Sequence, residues 1–193
     1  MKIYLIRHGQ TTSDIEERLG GDYDDHLTET GRKQAETLAK EITNFGIGKI
    51  FCSSRIRARE TADILKKEIH CEIKVVKDLR ERNRYGILTG MKIAEAKEKY
   101  PNLVELLDDY HTNIEDGEPY ESFRERVEKY FLKILKLKYK TIAVVTHAGP
   151  MRIIFREILK AGDIKLEDCG FAELESSDGK LKIVKLSGVN FKK

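Results

Sequence analysis

The hydrophobic positions of this chain follow two alternating patterns. Short apolar runs such as Ile3–Ile6 and Thr141–Val145 have the composition of strands that are buried on both faces. Between the runs lie longer stretches whose apolar residues recur at helical spacing, for example Ala35, Leu38 and Ala39. Strands that alternate with helices predict an α/β protein with a three-layer α/β/α architecture and a mostly parallel sheet.

The pattern predicts the following elements. Thr28 can cap the first long helix, and Ser122 with Glu125 has the pattern of a capping box. The polar, glycine-bearing residues 9–27 predict a loop. Two late runs joined through Ser177-Asp178-Gly179 predict a hairpin that adds an antiparallel edge strand to the sheet. The predicted strands are 3–6, 49–52, 73–76, 141–145, 170–175 and 181–186, and the predicted helices are 29–44, 55–67, 122–137 and one that begins at Pro150.

No repeat, low-complexity tract or linker divides the chain, so we expect one domain over residues 1–193. Residues 86–121 are predicted to be irregular, apart from a short helix at 91–99 that stops before Pro101. A connection of this length is typical of a functional covering segment. We therefore expect these residues to form a small excursion or cap over one end of the sheet.

Composition excludes several classes of protein. The net charge of +3, from 36 basic and 33 acidic residues, argues against a nucleic-acid partner. The apolar runs are too short to span a membrane, and the N-terminus has no secretory pattern. Cys52, Cys71 and Cys169 are far apart and form no CxxC motif. We therefore expect a reduced, cytoplasmic protein that has no zinc site.

Each of the four early strands leads to a residue that phosphoryl chemistry can use. Arg7 and His8 end the first strand, and His147 ends the fourth. The second strand leads to Arg57 and the third to Glu81. Because the carboxyl ends of parallel strands meet at one edge of a sheet, we expect these side chains to lie close together. Arginines and histidines in such a cluster suit a dianionic phosphate.

This set of residues predicts a reaction. A neutral imidazole can attack phosphorus and form a covalent phosphohistidine. The cluster supplies positioning and charge stabilisation without a metal, and the helix that follows His147 directs backbone N–H groups toward the same site. Glu81 would protonate the leaving oxygen and then deprotonate the incoming water.

Several motifs occur in register along almost the whole chain. They are Arg7-His8-Gly9, residues 27–31, residues 53–62, Leu79-Arg80-Glu81, residues 117–122 and residues 145–149. With these motifs the chain resembles the histidine phosphatase superfamily, in its phosphoglycerate mutase-like branch. The resemblance implies a phosphoglycerate mutase-like fold and phosphoryl transfer that needs no metal and no cofactor.

The resemblance also implies roles for individual residues. His8 would be the nucleophile, Glu81 the proton donor, and Arg7, Arg57 and His147 the phosphate pocket. The residues implied to lie near the substrate are Gln10, Thr11, Gly20, Gly21, Arg82 and the backbone at Ala148.

Three departures from the family pattern bear on this site. Asp14 stands where the family usually has an asparagine, and Arg55 stands where an apolar residue is more common. One residue more than usual separates Glu81 from Gly86. Asp14 and the extra residue before Gly86 could reshape the substrate side of the pocket without changing the nucleophile.

We therefore predict a metal-independent phosphomonoesterase that acts on a small phosphorylated metabolite. A phosphoglycerate mutase would share the phosphohistidine, but the modest excursion favours an open, hydrolytic site. A non-catalytic phosphate-binding or interaction domain is the alternative of another class. The substrate stays open, although Arg82, Arg84 and Tyr85 could hold a carboxylate or a sugar hydroxyl. The edge of the hairpin could pair with a second copy, as in a homodimer.

Overall fold

The computed structural model describes residues 1–177 and 179–192, and in these residues one six-stranded sheet runs through the protein. The strands are β1 Lys2–Arg7, β2 Lys49–Ser53, β3 Glu72–Val76, β4 Thr141–Thr146, β5 Ile164–Ser177 and β6 Lys180–Phe191. Their order is β3-β2-β4-β1-β5-β6.

The pairing of the strands confirms the predicted mixed sheet. β1 is parallel to β4, and β2 is parallel to both β3 and β4. β5 runs antiparallel to β1, and β6 runs antiparallel to β5. The hairpin is longer than predicted and contributes two antiparallel strands, of which β6 forms the edge of the sheet. Asp178, in its predicted turn, lies outside the described residues.

Helices cover both faces of the sheet. They are α1 Thr12–Ile15, α2 Glu29–Ile42, α3 Ile56–Ile69, α4 Ile93–Lys99, α5 Pro101–Glu105, α6 Tyr120–Leu135 and α7 Ala148–Ile153, which continues into a π-helical turn, Ile154–Ile158. In the described part of the chain, no helix combines the length and the apolar character that a bilayer-spanning segment needs.

Alternate residues of β1 face opposite sides of the sheet and pack into two separate cores. Ile3 and Leu5 pack with apolar residues of α6 and α7. Tyr4 and Ile6 pack with residues of α2 and α3. The three-layer α/β/α prediction is therefore confirmed, and the carboxyl ends of β1, β2, β3 and β4 share one edge of the sheet.

Two local predictions were wrong. Residues 9–27 include the helical turn α1, because Asp14 accepts hydrogen bonds from the backbone N–H and the hydroxyl of Thr11 and so caps this turn. The helix α6 begins at Tyr120 and not at Ser122. Pro119 lies at its N-cap, so the exposed Ser122 stands inside the first turn and forms no capping box.

The predicted excursion, residues 86–121, contains α4 and α5 and packs against the loop that follows β1. Leu19 of that loop is buried with Leu88 and Ala96. The guanidinium of Arg82 has almost no exposed surface and donates to the backbone carbonyls of residues 110, 111, 112 and 118. These hydrogen bonds fix the excursion beside the carboxyl ends of the parallel strands.

Candidate active site

His8 lies where β1 ends, and its backbone is held from two sides. Its N–H donates to the carbonyl of Thr146 on β4, and its carbonyl accepts from the N–H of Cys169 on β5, each at 3.1 Å. A Cβ at Gly9 would lie 2.5 Å from the carbonyl oxygen of Gly31. Only glycine at position 9 therefore allows α2 to approach the turn so closely.

The hydrogen bonds of the His8 ring determine its tautomer. Nδ1 lies 2.8 Å from the carbonyl oxygen of Gly9, which can only accept, so Nδ1 carries the proton. Nε2 then has a free lone pair and accepts a hydrogen bond from Nε of Arg57 at 3.1 Å. Burial, followed by the charges of Arg57 and Arg7, lowers the pKa of His8 well below its ordinary value of 6.5. The ring is therefore a neutral imidazole with a nucleophilic Nε2.

Arg57 is buried and anchors the loop before α2. Its terminal nitrogens donate to the carbonyls of Gly21 and Tyr23, and one of them pairs with Asp25 at 2.7 Å. Asp25 is also buried. Sequence reasoning missed this carboxylate because Asp24 beside it has the same chemistry.

Asp24 instead points outward, toward Arg55, one of the three departures from the family pattern. Arg55 pairs with Asp24 at 3.0 Å and with Asp22 at 2.6 Å. An arginine can therefore occupy position 55 in this chain, because two acidic residues of the loop form ion pairs with its guanidinium.

Arg7 is held by a bulge in β5. Its guanidinium donates to the carbonyl of Leu166 at 2.8 Å and pairs with Asp168 at 3.1 Å. The register between β5 and β6 shifts over Leu166–Phe171, and Cys169 has a left-handed φ of 57°. Burial raises the pKa of Asp168, although Arg7 acts in the opposite direction. Nothing in the sequence pattern points to Asp168, because a bulge leaves no regular periodicity.

His147 lies directly behind His8, with the two ring centroids 5.0 Å apart. Its side chain has no exposed surface, and its Nε2 lies 2.7 Å from the hydroxyl of Ser53. Within the described part of the chain, its Nδ1 has no hydrogen-bond partner. Burial, followed by the charge of Arg57, lowers the pKa of His147 well below 6.5.

Glu81 is held at the start of α7. One carboxylate oxygen accepts from the N–H of Gly149 at 2.9 Å, and the other accepts from the N–H of Arg82 at 2.8 Å. A Cβ at Gly149 would lie 2.0 Å from Oε1 of Glu81. The carboxylate can take this position because residue 149 is glycine.

These elements enclose a cavity of about 200 Å³, which we call the His8 cavity. Asp14 also lines it, but its carboxylate is turned to the backbone N–H of Thr11. The predicted site residues that line the cavity together are Arg7, His8, Thr11, Gly20, Gly21, Arg57, Glu81 and Ala148.

The remaining predicted residues lie outside this lining. His147 contacts His8 from behind, and Arg82 lines an adjoining cavity. The side chain of Gln10 accepts a hydrogen bond from the hydroxyl of Thr28 at 2.8 Å and is not part of the lining. The segment from Glu81 to Gly86 has one residue more than is usual in the family. Glu81 nevertheless lines the cavity.

The depressed pKa values of the two buried histidines predict a pH-dependent stability. Below pH 6.5 the unfolded chain binds a proton at each histidine, whereas the folded protein does not. The free energy of unfolding should therefore decrease as the pH falls below 6.5, by up to about 1.4 kcal/mol per pH unit for each histidine. Urea unfolding at several pH values measures this slope. His8→Gln and His147→Gln should each remove about half of the two-histidine contribution, and an unchanged slope in both variants would contradict the prediction.

A family model and several relatives of known class agree on the kind of protein that this chain resembles. A family model described as the histidine phosphatase superfamily (branch 1) matches residues 3–188. The chain is 37% identical over 159 residues to a probable phosphatase of Schizosaccharomyces pombe, covering 80% of this chain and 71% of that protein. It is 32% identical over 171 residues to a metal-independent phosphoserine phosphatase of Arabidopsis thaliana, covering 83% and 69%.

The fold also matches that of solved structures. The alpha-ribazole phosphatase from Shigella flexneri superimposes with a TM-score of 0.85, covering 97% of this chain and 96% of that chain at 21% identity. A Bacillus stearothermophilus protein, YhfR, gives a TM-score of 0.84 and covers 94% of each chain at 23% identity. At these identities the similarity is one of fold.

Proposed function

Because this chain belongs to the histidine phosphatase superfamily (branch 1), we propose that it is a metal-independent phosphomonoesterase that works through a phosphohistidine at His8. The observation that carries the proposal is the state of the His8 ring, which is neutral, buried and directs its Nε2 lone pair toward Arg57 at the cavity wall. The substrate would be a small phosphorylated metabolite, in keeping with a cavity of about 200 Å³.

In the first half of the reaction, the phosphate dianion enters the His8 cavity. Nε2 of His8 attacks phosphorus, so that a P–N bond forms while the ester P–O bond breaks. Arg7 and Arg57 would stabilise the charge on the phosphoryl oxygens, while His147 would support the His8 ring from behind. The leaving oxygen takes a proton from Glu81, which must be protonated at the start of this step.

In the second half, water replaces the alcohol beside Glu81. Glu81 removes a proton from the water, the resulting oxygen attacks phosphorus, and the P–N bond breaks. His8 regains its neutral form with the lone pair on Nε2, and inorganic phosphate leaves. The backbone carbonyl of Gly9 keeps the ring in the same tautomer throughout, because it continues to accept the proton on Nδ1.

We further propose that residues 86–121 act as a small cap on a single domain that spans residues 1–193. The contacts of Arg82 with the backbone of this segment support the proposal. Cytoplasmic location and a homodimer paired through the hairpin edge stay predictions. The three free cysteines are in keeping with a reducing compartment.

Rapid quenching of the enzyme with a ³²P-labelled phosphate ester tests the proposal. The wild-type protein should carry a label that is stable in alkali and labile in acid, as expected for a P–N bond. His8→Gln should carry no label and should lose roughly 10³- to 10⁶-fold in kcat. His26→Gln serves as a matched control because His26 is exposed at the surface.

Three outcomes would contradict the proposal, each in its own way. Unchanged turnover in His8→Gln would show that His8 is not the nucleophile. An isomerised ester without free phosphate would identify a mutase. Phosphate binding with neither label nor product would identify a non-catalytic binding domain.

A further inference from the structure

We propose that the end of the protein opposite the His8 cavity binds the surface of an anionic lipid bilayer. The contact is made by the exposed side chains of residues 129–140, which we call the lysine surface. It comprises the last two turns of α6 and the connection from α6 to β4. This binding is peripheral, needs no membrane-spanning helix and is independent of the proposed function, because it involves no residue of the active site.

The positive charge of the protein is concentrated in the lysine surface. Residues 129–140 contain five lysines and no acidic residue, whereas the whole chain has a net charge of only +3. Glu128, which precedes them on α6, is paired with Arg124 at 3.5 Å. All five lysine side chains are exposed, and in the described part of the chain no carboxylate forms an ion pair with them. The five are Lys129, Lys133, Lys136, Lys138 and Lys140.

Stabilisation of α6 does not account for all of these lysines. A lysine in the last turn of a helix interacts favourably with the helix dipole, and Lys133 lies in the last turn of α6. Lys138 and Lys140 lie beyond the C-cap residue, Lys136, in the connection to β4. The dipole effect falls off within the last turn, so it does not explain the charges in the connection. An external anionic surface does explain them.

Exposed apolar side chains alternate with the lysines. Leu132 is 46% exposed, Leu137 36% and Tyr139 37%. Leu132 shares the outer face of α6 with Lys129 and Lys136, which are three and four residues away. Lysines combined with leucine and tyrosine in this way are typical of segments that lie in the headgroup region of a bilayer, where the ammonium groups meet lipid phosphates and the apolar groups leave water.

The backbone of the lysine surface is held in place by its neighbours. The carbonyl of Lys140 accepts a hydrogen bond from the N–H of Lys2 at 2.8 Å. The ring of Tyr139 packs edge-on against Phe51, with the two centroids 6.3 Å apart. The N–H of Leu137 donates to a carbonyl in the last turn of α6. A surface that is already ordered loses little conformational entropy when it binds.

The composition of the surface favours lipid over other partners. All of its cations are lysines, and it lacks arginine, the residue that binds the phosphates of nucleic acids through two parallel hydrogen bonds. Exposed leucines gain nothing from a nucleic-acid backbone but are stabilised at the boundary between headgroups and acyl chains. A second copy of the chain is disfavoured, because its five lysines would face the five of the first copy.

Binding through the lysine surface leaves the active site open. β4 begins at Thr141, next to the lysine surface, and ends at Thr146, next to His147. Its six residues span about 20 Å at about 3.3 Å per residue. The His8 cavity therefore lies at the opposite edge of the sheet, where substrate can enter while the protein is bound to a membrane.

Sedimentation with lipid vesicles tests the inference. The probes are vesicles of phosphatidylcholine alone and vesicles of phosphatidylcholine with an equal amount of phosphatidylglycerol. We expect the wild-type protein to bind only the anionic vesicles and to dissociate from them at high salt. Lys136→Gln/Lys138→Gln/Lys140→Gln should bind them about 100-fold less tightly, from about fivefold for each lysine. Leu132→Ser/Leu137→Ser should lose about fivefold or more, although it keeps every lysine.

A second triple variant, Lys67→Gln/Lys97→Gln/Lys165→Gln, is the matched control. It removes the same amount of charge from exposed lysines outside the lysine surface, so it should bind within about twofold of the wild type. Every substituted side chain in the three variants is exposed, and all three should therefore keep the far-UV circular dichroism of the wild type.

Several results would overturn the inference. Equal losses in the two triple variants would show that only the net charge of the protein acts. Unchanged binding by the leucine variant would show that the surface recognises negative charge and not a bilayer. Absence of binding to the anionic vesicles would also overturn it, whether or not the protein then bound single-stranded RNA or a second copy of itself. None of these results bears on the proposed function, which fails if His8-dependent phosphate release is absent.

Discussion

Glu81→Gln is expected to lower kcat for the hydrolysis of an alkyl phosphate by about 10²- to 10⁴-fold, the usual contribution of a positioned general acid. The glutamine amide keeps the shape of the side chain but has no proton to give to the leaving alkoxide. p-Nitrophenyl phosphate should lose much less in its phosphorylation step, because p-nitrophenolate leaves without protonation. Comparison of phosphorylation rates for the two esters in single-turnover assays measures the difference.

Gly149→Ala should reproduce this defect with Glu81 unchanged. The new Cβ would lie 2.0 Å from Oε1 of Glu81, so the carboxylate must leave its position at the start of α7. Gly48→Ala is the control, because the nearest atom to a Cβ at Gly48 is 3.8 Å away. If both Glu81→Gln and Gly149→Ala slowed phosphorylation by the two esters equally, Glu81 would not be the proton donor.

Arg57→Ala is expected to remove activity and also to destabilise the fold by about 3–5 kcal/mol, the cost of breaking a buried ion pair. The variant leaves the carboxylate of Asp25, 2.7 Å from the arginine in the wild type, buried without its partner. It also releases the carbonyls of Gly21 and Tyr23, so the loop before α2 loses its anchor. Urea unfolding followed by far-UV circular dichroism is the suitable measurement, since the chain has no tryptophan.

The double variant Arg57→Ala/Asp25→Ala separates stability from catalysis. Removing both charges should restore much of the lost free energy of unfolding, because no buried charge is left unpaired. Activity should not return, since the guanidinium next to Nε2 of His8 is still absent. Arg32→Ala, which breaks an exposed pair with Glu60, should cost less than about 1 kcal/mol. A double variant as unstable as Arg57→Ala would show that the loop carbonyls, and not Asp25, carry the cost.

In the proposed mechanism, Arg57 and Arg7 would be held in position by ion pairs before the phosphate group binds. Each arginine is paired with a carboxylate, Asp25 or Asp168, and each pair is largely withdrawn from water. An arriving dianion therefore meets cations that are already positioned, which lowers the cost of ordering them. The same carboxylates reduce the net charge of the pocket, and this should help product phosphate to leave.

The sequence by itself determined the strands of the sheet and the polar residues at their carboxyl ends. Apolar runs and helical spacing are local signals, so β1 to β4 and the helices α2, α3 and α6 followed from short windows of residues. Because parallel strands share one edge, the same signals predicted that Arg7, His8 and Glu81 would meet, and they line one cavity. The long helices were predicted to within a few residues, whereas the turn α1 was missed because a single side chain, Asp14, caps it.

Only the tertiary structure decided which charged residues serve the site. In the sequence Asp24 and Asp25 are equivalent, yet only Asp25 turns inward to Arg57. Arg82 was expected at the substrate, and it holds the excursion as well as lining the cavity that adjoins the His8 cavity. Arg152, five residues beyond His147, lines the same adjoining cavity and was not predicted. The reason is physical: the partner of a charged side chain depends on contacts between segments that are distant along the chain, and local periodicity contains no information about them.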